Sequence, residues 1–281
     1  MLLFQTLFVI AVFCIGAIVG SFLNVFILRY NTGLSAVKGR SICFSCGKTL
    51  SWYELIPILS FVIQKGRCRG CGSKISWQYP LVETITGLLF ILIFLKFNGL
   101  VVVFADYSGV WPMLISFAVV SLLLSITVYD FKHKIIPDGM MVAFSILAIV
   151  NTFYYYFTAD DLAFNLKTHL IWYLAAGPIL ALPLFLIWLF SKGKWMGLGD
   201  PKLVLGIGWF FGPFYGLSAL ILSFWSGAIY GIILIILSKM KWHGLEINGK
   251  TEVPFGPFLV LGFLIVFFFN VDILQLAPLI P

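Results

Sequence analysis

Long apolar runs separated by short polar loops limit what this chain can fold into more than any motif does. Runs near the roughly 20 residues that a helix needs to cross hydrocarbon occupy 2–28, 81–95, 111–128, 139–157, 170–190 and 255–270. A further run, 203–237, is too long for one span and carries Gly212-Pro213, so it reads as two spans with a turn between Gly212 and Ser218. The expected fold is an all-α polytopic membrane protein of about eight transmembrane helices. Composition agrees: 61% of residues are hydrophobic, 10% are charged and the mean hydropathy is +1.06, which excludes a soluble domain with a polar surface.

Lys and Arg decide orientation. The loops at 29–80, 129–138, 191–202 and 238–254 hold 16 of the 18 basic residues, leaving only Lys96 and Lys167 on the other side. Both termini are then outside and the long first loop is cytoplasmic. The net charge of +7 is explained by basic loops meeting anionic lipid headgroups, with no need to invoke nucleic acid. The first run lacks a basic leading region and a small-residue cleavage site, so it reads as a span and not as a signal peptide. Its Gly16-x-x-x-Gly20 spacing is a helix-packing signal.

Cys14 lies in the first span and reads as a small buried hydrophobe. The other four cysteines form two C-x-x-C-G knuckles, Cys43/Cys46 and Cys68/Cys71, 21 residues apart. That spacing points to one tetrahedral zinc, closed and therefore structural. A reducing cytoplasm argues against disulfides. Arg40, Lys48, Arg67, Arg69 and Lys74 are the candidates to balance the four thiolates. The aromatic, proline-broken stretches 50–60 and 76–83 read as segments lying at the membrane surface. Glu83, just inside the second span, is either an interfacial residue or part of the lining of an active cavity.

Two further acids stand at span ends. Asp130 closes the third span, and Asp200, in Gly197-Leu198-Gly199-Asp200-Pro201, opens the sixth. The charge-derived topology puts both at the cytoplasmic face. Two carboxylates that meet in a poorly hydrated site share one proton, so one can activate water while the other hydrogen-bonds a peptide carbonyl and later protonates the leaving amine. This hydrolysis needs no cofactor. Asp-Pro is also a good helix cap, with Lys202 near enough in sequence to neutralise the charge. A bare cap does not require Gly197 and Gly199, which clear the approach for an extended substrate. Asp138 reads as a cap or a partner of Lys132 or Lys134. Asp106, Asp160, Asp161 and Asp272 fall on the outer face and read as solvated, the loop 239–253 reads as a solvated connector, and His133, His169 and His243 form no ligand spacing.

Gly20-Ser21-Phe22-Leu23-Asn24-Val25, the paired cysteine knuckles, Trp52-Tyr53-Glu54-Leu55-Ile56-Pro57, Tyr79-Pro80-Leu81-Val82-Glu83, the 130–138 segment, Gly-Leu-Gly-Asp200 and Pro254-Phe255-Gly256-Pro257 occur in this order. Together they resemble the type 4 prepilin leader peptidases. The resemblance implies an intramembrane aspartic endopeptidase with Asp130 and Asp200 as its catalytic acids, acting on type 4 prepilins or pseudopilins at the cytoplasmic face of the bacterial inner membrane. It also implies N-methylation of the new N-terminus with S-adenosylmethionine, for which no glycine-rich cofactor fingerprint is present. The chain then divides into a first transmembrane helix (1–28), a cytoplasmic zinc-binding loop with interfacial segments (29–80) and a transmembrane peptidase core (81–281). Two other readings are a presenilin or signal-peptide-peptidase type of protease, which leaves the cysteine loop unexplained, and a proton- or cation-coupled transporter, which predicts midplane acids and internal repeats.

Overall fold

The computed structural model describes residues 2–104, 107–158, 166–240 and 253–275, and every regular element among them is helical. Asp106, Asp160, Asp161, His243 and most of the 239–253 connector lie outside the described residues, as does the side chain of His169. The elements are α1 (Leu2–Arg29), α2 (Leu59–Ile63), α3 (Gln78–Lys96), α4 (Gly99–Phe104), α5 (Val110–His133), α6 (Asp138–Thr158), α7 (Leu166–Ser191), α8 (Gly199–Lys239) and α9 (Gly256–Phe269). Helices satisfy their own backbone groups, as spans in hydrocarbon must. Six of them, α1, α3, α5, α6, α7 and α8, are long and apolar enough to cross a membrane, so the chain is a multi-pass membrane protein.

The expected eight spans are therefore six by length. The difference lies in two places. α9 has only 14 residues, about 21 Å at the helical rise. The 203–237 run belongs to one 41-residue helix that is bent within the expected turn region, at Gly212, whose φ of 74° suits glycine. A Cβ on Gly216 would lie 3.4 Å from the Cα of Gly208, whereas eight residues of straight helix separate their ends by about 12 Å. α8 thus folds back sharply on itself.

The molecule forms two compact units that divide within α5, between Ser125 and Ile126. In the first, α1 packs along α3 through the predicted glycine pair: a Cβ on Gly16 would sit 2.8 Å from Gly87 Cα, and one on Gly20 2.8 Å from Glu83 Cα. Asn24, wholly buried, donates to the carbonyl of Tyr79 at 3.2 Å and accepts from Gln78 at 3.1 Å. Cys14 does not join this interface; it is exposed on the other side of α1, because only the glycine face approaches α3. Between the two helices the chain makes the knuckles, a 3-10 turn (Trp52–Glu54) and α2, with Trp52 and Trp77 largely exposed, as a surface-lying segment requires.

In the second unit α8 is central and packs on α6, α7 and α9. Two prolines of this unit, Pro213 and Pro178, are compensated across helices. Pro213 cannot donate to the carbonyl of Trp209, which instead accepts the Thr152 hydroxyl of α6 at 2.6 Å. Pro178 of α7 leaves the carbonyl of Leu174 open in the same way, and the Trp209 indole donates to it at 2.9 Å. Asp272 is not simply solvated: the Ser218 hydroxyl lies 3.5 Å from its carboxylate, and Ile273 donates its N–H to Ser218 at 3.1 Å.

Candidate active site and metal centre

α5 continues past the apolar run to His133, so Asp130 lies inside its final turns and is only 4% exposed. The Lys134 N–H closes the helix on the Asp130 carbonyl at 2.8 Å, and Lys134 itself takes φ 54°, which turns the chain back. The turn drives Ile136 inward while Ile135 stays exposed. Asp200 occupies the first turn of α8 and is 8% exposed. It is not the cap: Leu198 holds that position, with no side-chain cap bond, because the helix begins one residue before the acid.

Ile136 joins the surroundings of the two acids. A Cβ on Gly199, beside Asp200, would lie 2.7 Å from the Cβ of Ile136. A Cβ on Gly256, at the start of α9, would lie 3.2 Å from Ile136 Cδ1 and 2.6 Å from Asp130 Oδ2. The two glycines thus make the seat of Ile136, and Asp130 and Asp200 come within electrostatic range of one another. Asp130 Oδ2 is buried without a hydrogen-bond partner among the described residues, and the Gly256 backbone N–H lies close enough to the carboxyl to favour its charge.

The candidate residues separate accordingly. Gly197 is exposed and has room for a side chain: a Cβ placed there would only touch Asp200 Oδ2 and the Gly199 nitrogen, both at 3.9 Å, while its backbone N–H favours the charge of Asp200. Gly199 instead accommodates Ile136. Sequence reasoning does not single out Ile136; its one signal is an apolar Ile-Ile pair in an otherwise polar inter-helix segment. Asp138 pairs with Lys202 at 2.6 Å rather than with Lys132 or Lys134, since it starts α6 on the side where α8 begins. Glu83 belongs to the first unit, where it is buried and accepts the Ile58 N–H at 2.7 Å.

The cysteine cluster is assembled locally, twice over. In each knuckle the first cysteine donates its N–H to a carbonyl five residues on, Lys48 or Ser73, and accepts from a glycine four residues on, Gly47 or Gly72. Both glycines have positive φ, 70° and 72°, as the tight turn demands. The four sulfur atoms lie within 4.8 Å of one another, and Cys43 and Cys71 are 3.9 Å apart, near the S–S separation of about 3.8 Å around a tetrahedral ion with 2.3 Å bonds. The N–H groups of Cys46 and Ser45 pull the Cys43 thiol down to about 6. Cys46 receives a lowering bond from the Lys48 N–H, yet burial and the neighbouring thiols push it up to about 11. Four crowded thiols resist full ionisation, which a bound cation would reverse. The donor set and spacing fit a metal ion.

Two of the expected balancing cations are otherwise engaged. Lys48 pairs with Glu54 at 3.0 Å, and Arg69 stands 5.2 Å over the Tyr53 ring. The Ser51 N–H and then Lys48 hold the Glu54 carboxyl below its ordinary 4.5. Its contribution to the loop is thus complete above that value and is lost as pH falls through the depressed one.

Residues 14–97 match the Bacterial Peptidase A24 N-terminal domain and residues 117–232 match the Type IV leader peptidase family. A Myxococcus xanthus protein named prepilin leader peptidase/N-methyltransferase is 33% identical over 90% of this chain and 70% of its own length. The chain belongs to the type IV leader peptidase family. Proteins of the same name from Legionella pneumophila and Bacillus subtilis are 30% and 29% identical, the first over 84% of this chain and 74% of its own length, the second over 94% and 95%. No solved structure matches the chain. In this leader peptidase family member the N-terminal match contains the cysteine cluster and Glu83, and the second match contains both aspartates and Ile136.

Proposed function

We propose that this protein is an intramembrane aspartic endopeptidase that removes the leader of type 4 prepilins or pseudopilins, with Asp130 and Asp200 as its catalytic pair. The observation that supports this reading is that two buried acids lie within electrostatic range of one another, with Ile136 packed beside Gly199 and Gly256 and Asp130 Oδ2 lacking a hydrogen-bond partner among the described residues. One carboxylate takes a proton from water as it attacks the scissile carbonyl. The other, protonated, hydrogen-bonds the carbonyl oxygen and then protonates the departing amine. Gly197 leaves room for the extended substrate backbone beside Asp200. The basic loops favour this chemistry at the cytoplasmic face of the bacterial inner membrane, with both termini outside.

The relatives' shared name supports a second activity, N-methylation of the newly exposed amine from S-adenosylmethionine. That donor supplies an electrophilic methyl group, which moves to the amine lone pair as the carbon–sulfur bond breaks and a neutral thioether leaves. The four cysteines hold a structural zinc, since a closed thiolate set leaves no position for substrate water. The test is cleavage of a prepilin peptide by purified protein in detergent, wild type against Asp200→Asn. Loss of cleavage with retained helicity supports the pair, and full activity of the variant overturns it.

A further inference from the structure

The first unit contains a cavity of about 460 Å³ between α1, the knuckles, α2 and the start of α3, and its lining includes neither of the acids assigned to peptide cleavage. This falls within the roughly 300–1,000 Å³ of small-ligand sites. Phe22, Phe44, Phe61 and Tyr79 provide aromatic wall. Its charged lining residues are Arg29, Glu54, Lys74 and Glu83, and two are already spent. The Arg29 guanidinium donates to the carbonyls of Ser35 at 2.8 Å and Arg40 at 3.0 Å, and Glu54 is held by Lys48 and the Ser51 N–H.

The other two, Glu83 and Lys74, have no oppositely charged partner among the described residues; Glu83 is held by neutral donors only, the Ile58 N–H and the Ser21 side chain. Glu83 is 6% exposed and, among the described residues, faces no cation. Its hydrogen bond from Ile58 holds that β-branched residue at φ 62°, a strained conformation, so the loop is built onto the acid. A buried carboxylate without a cation is costly, and a ligand that brings positive charge relieves the cost. Lys74 is exposed at the rim with no carboxylate partner among the described residues.

We propose that this cavity is the methyl-donor site, binding S-adenosylmethionine with Glu83 as partner of the sulfonium charge, Lys74 as partner of the carboxylate, and the aromatic wall receiving the purine. The proposal rests on the methyl-transfer reading above. A separate carboxyl and ammonium around an aromatic-lined space match a zwitterion with a flat base, which neither a simple cation nor an apolar ligand would use.

The experiment is equilibrium binding of S-adenosylmethionine and of its neutral thioether product, S-adenosylhomocysteine, to full-length protein in detergent. Wild type binds the donor about tenfold more tightly than the thioether. Glu83→Gln, which keeps an acceptor for Ile58, brings the two affinities within about twofold, and Lys74→Ala weakens both alike by about tenfold. Unchanged metal content in each variant shows that the unit is folded, and Asp200→Asn binds both ligands as wild type does. No saturable donor binding by wild type, or an intact preference for the donor in Glu83→Gln, overturns the proposal. If wild type methylates mature pilin while the cavity variants bind the donor normally, the site is elsewhere and the methyl-transfer reading stands; if wild type neither binds nor methylates, both fall.

Discussion

The cysteine cluster and the surroundings of the two proposed catalytic aspartates are built in two different ways. The four thiols are brought together by two copies of one short turn, each closed by its own backbone bonds and its own positive-φ glycine. The two acids, 70 residues apart in the chain, come within electrostatic range through helix packing, and a third residue, Ile136, is fitted where Gly199 and Gly256 have no side chain. A local motif tolerates change elsewhere and fails when its own residues change. A site built by packing fails when distant close contacts are filled, even where no ionisable group is touched.

The largest test of that contrast is Asp130→Asn or Asp200→Asn, expected to lower prepilin cleavage roughly a thousandfold or more while metal content by elemental analysis stays at the wild-type level. Cys43→Ser is expected to do the converse at the metal, abolishing stoichiometric binding and opening the 43–74 loop to protease; unchanged metal content refutes the four-cysteine site. Next in size is packing around the acids. Gly256→Ala puts a Cβ against Asp130 Oδ2 and is expected to cost about 1–3 kcal/mol of stability, with a fall in kcat. Gly197→Ala, at an exposed position with room for a side chain, should change stability by less than about 0.5 kcal/mol, so a rise in its KM would mark the substrate approach.

Thr152→Val leaves the Trp209 carbonyl without a partner at the Pro213 bend and is expected to cost about 1–3 kcal/mol in a detergent unfolding assay. If it is neutral, the bend does not depend on α6. The smallest effect belongs to Lys202→Ala: its pair with Asp138 is exposed at both ends, worth at most about 1 kcal/mol and diminished by salt.

Residues speak for themselves where the deciding interactions are short-range or one-dimensional. Apolar run length locates the helices, the C-x-x-C-G repeat locates the thiol cluster, and Gly16-x-x-x-Gly20 locates the α1 face that meets α3. Charge partners are harder to read. Lys48 lies beside the thiols and Lys202 beside Asp200 in sequence, yet they bond Glu54 and Asp138. A long flexible side chain can reach several acids, and only the packed backbone decides which. Cys14 shows the same gap: periodic apolarity in hydrocarbon does not say which face of a helix meets protein and which meets lipid.

The sequence alone therefore determined an all-helical membrane protein, its family resemblance, four candidate metal ligands and two candidate acids, because hydrophobic length and turn-forming spacing are local properties of the chain. The turn in the 203–237 run was legible too, in Gly212-Pro213. Only the tertiary structure decided that Gly199 and Gly256 hold Ile136 beside the acids, and that Glu83 belongs to a cavity of the first unit. Those facts depend on which surfaces come within a few ångströms after packing, and close packing is set by all the contacting helices together.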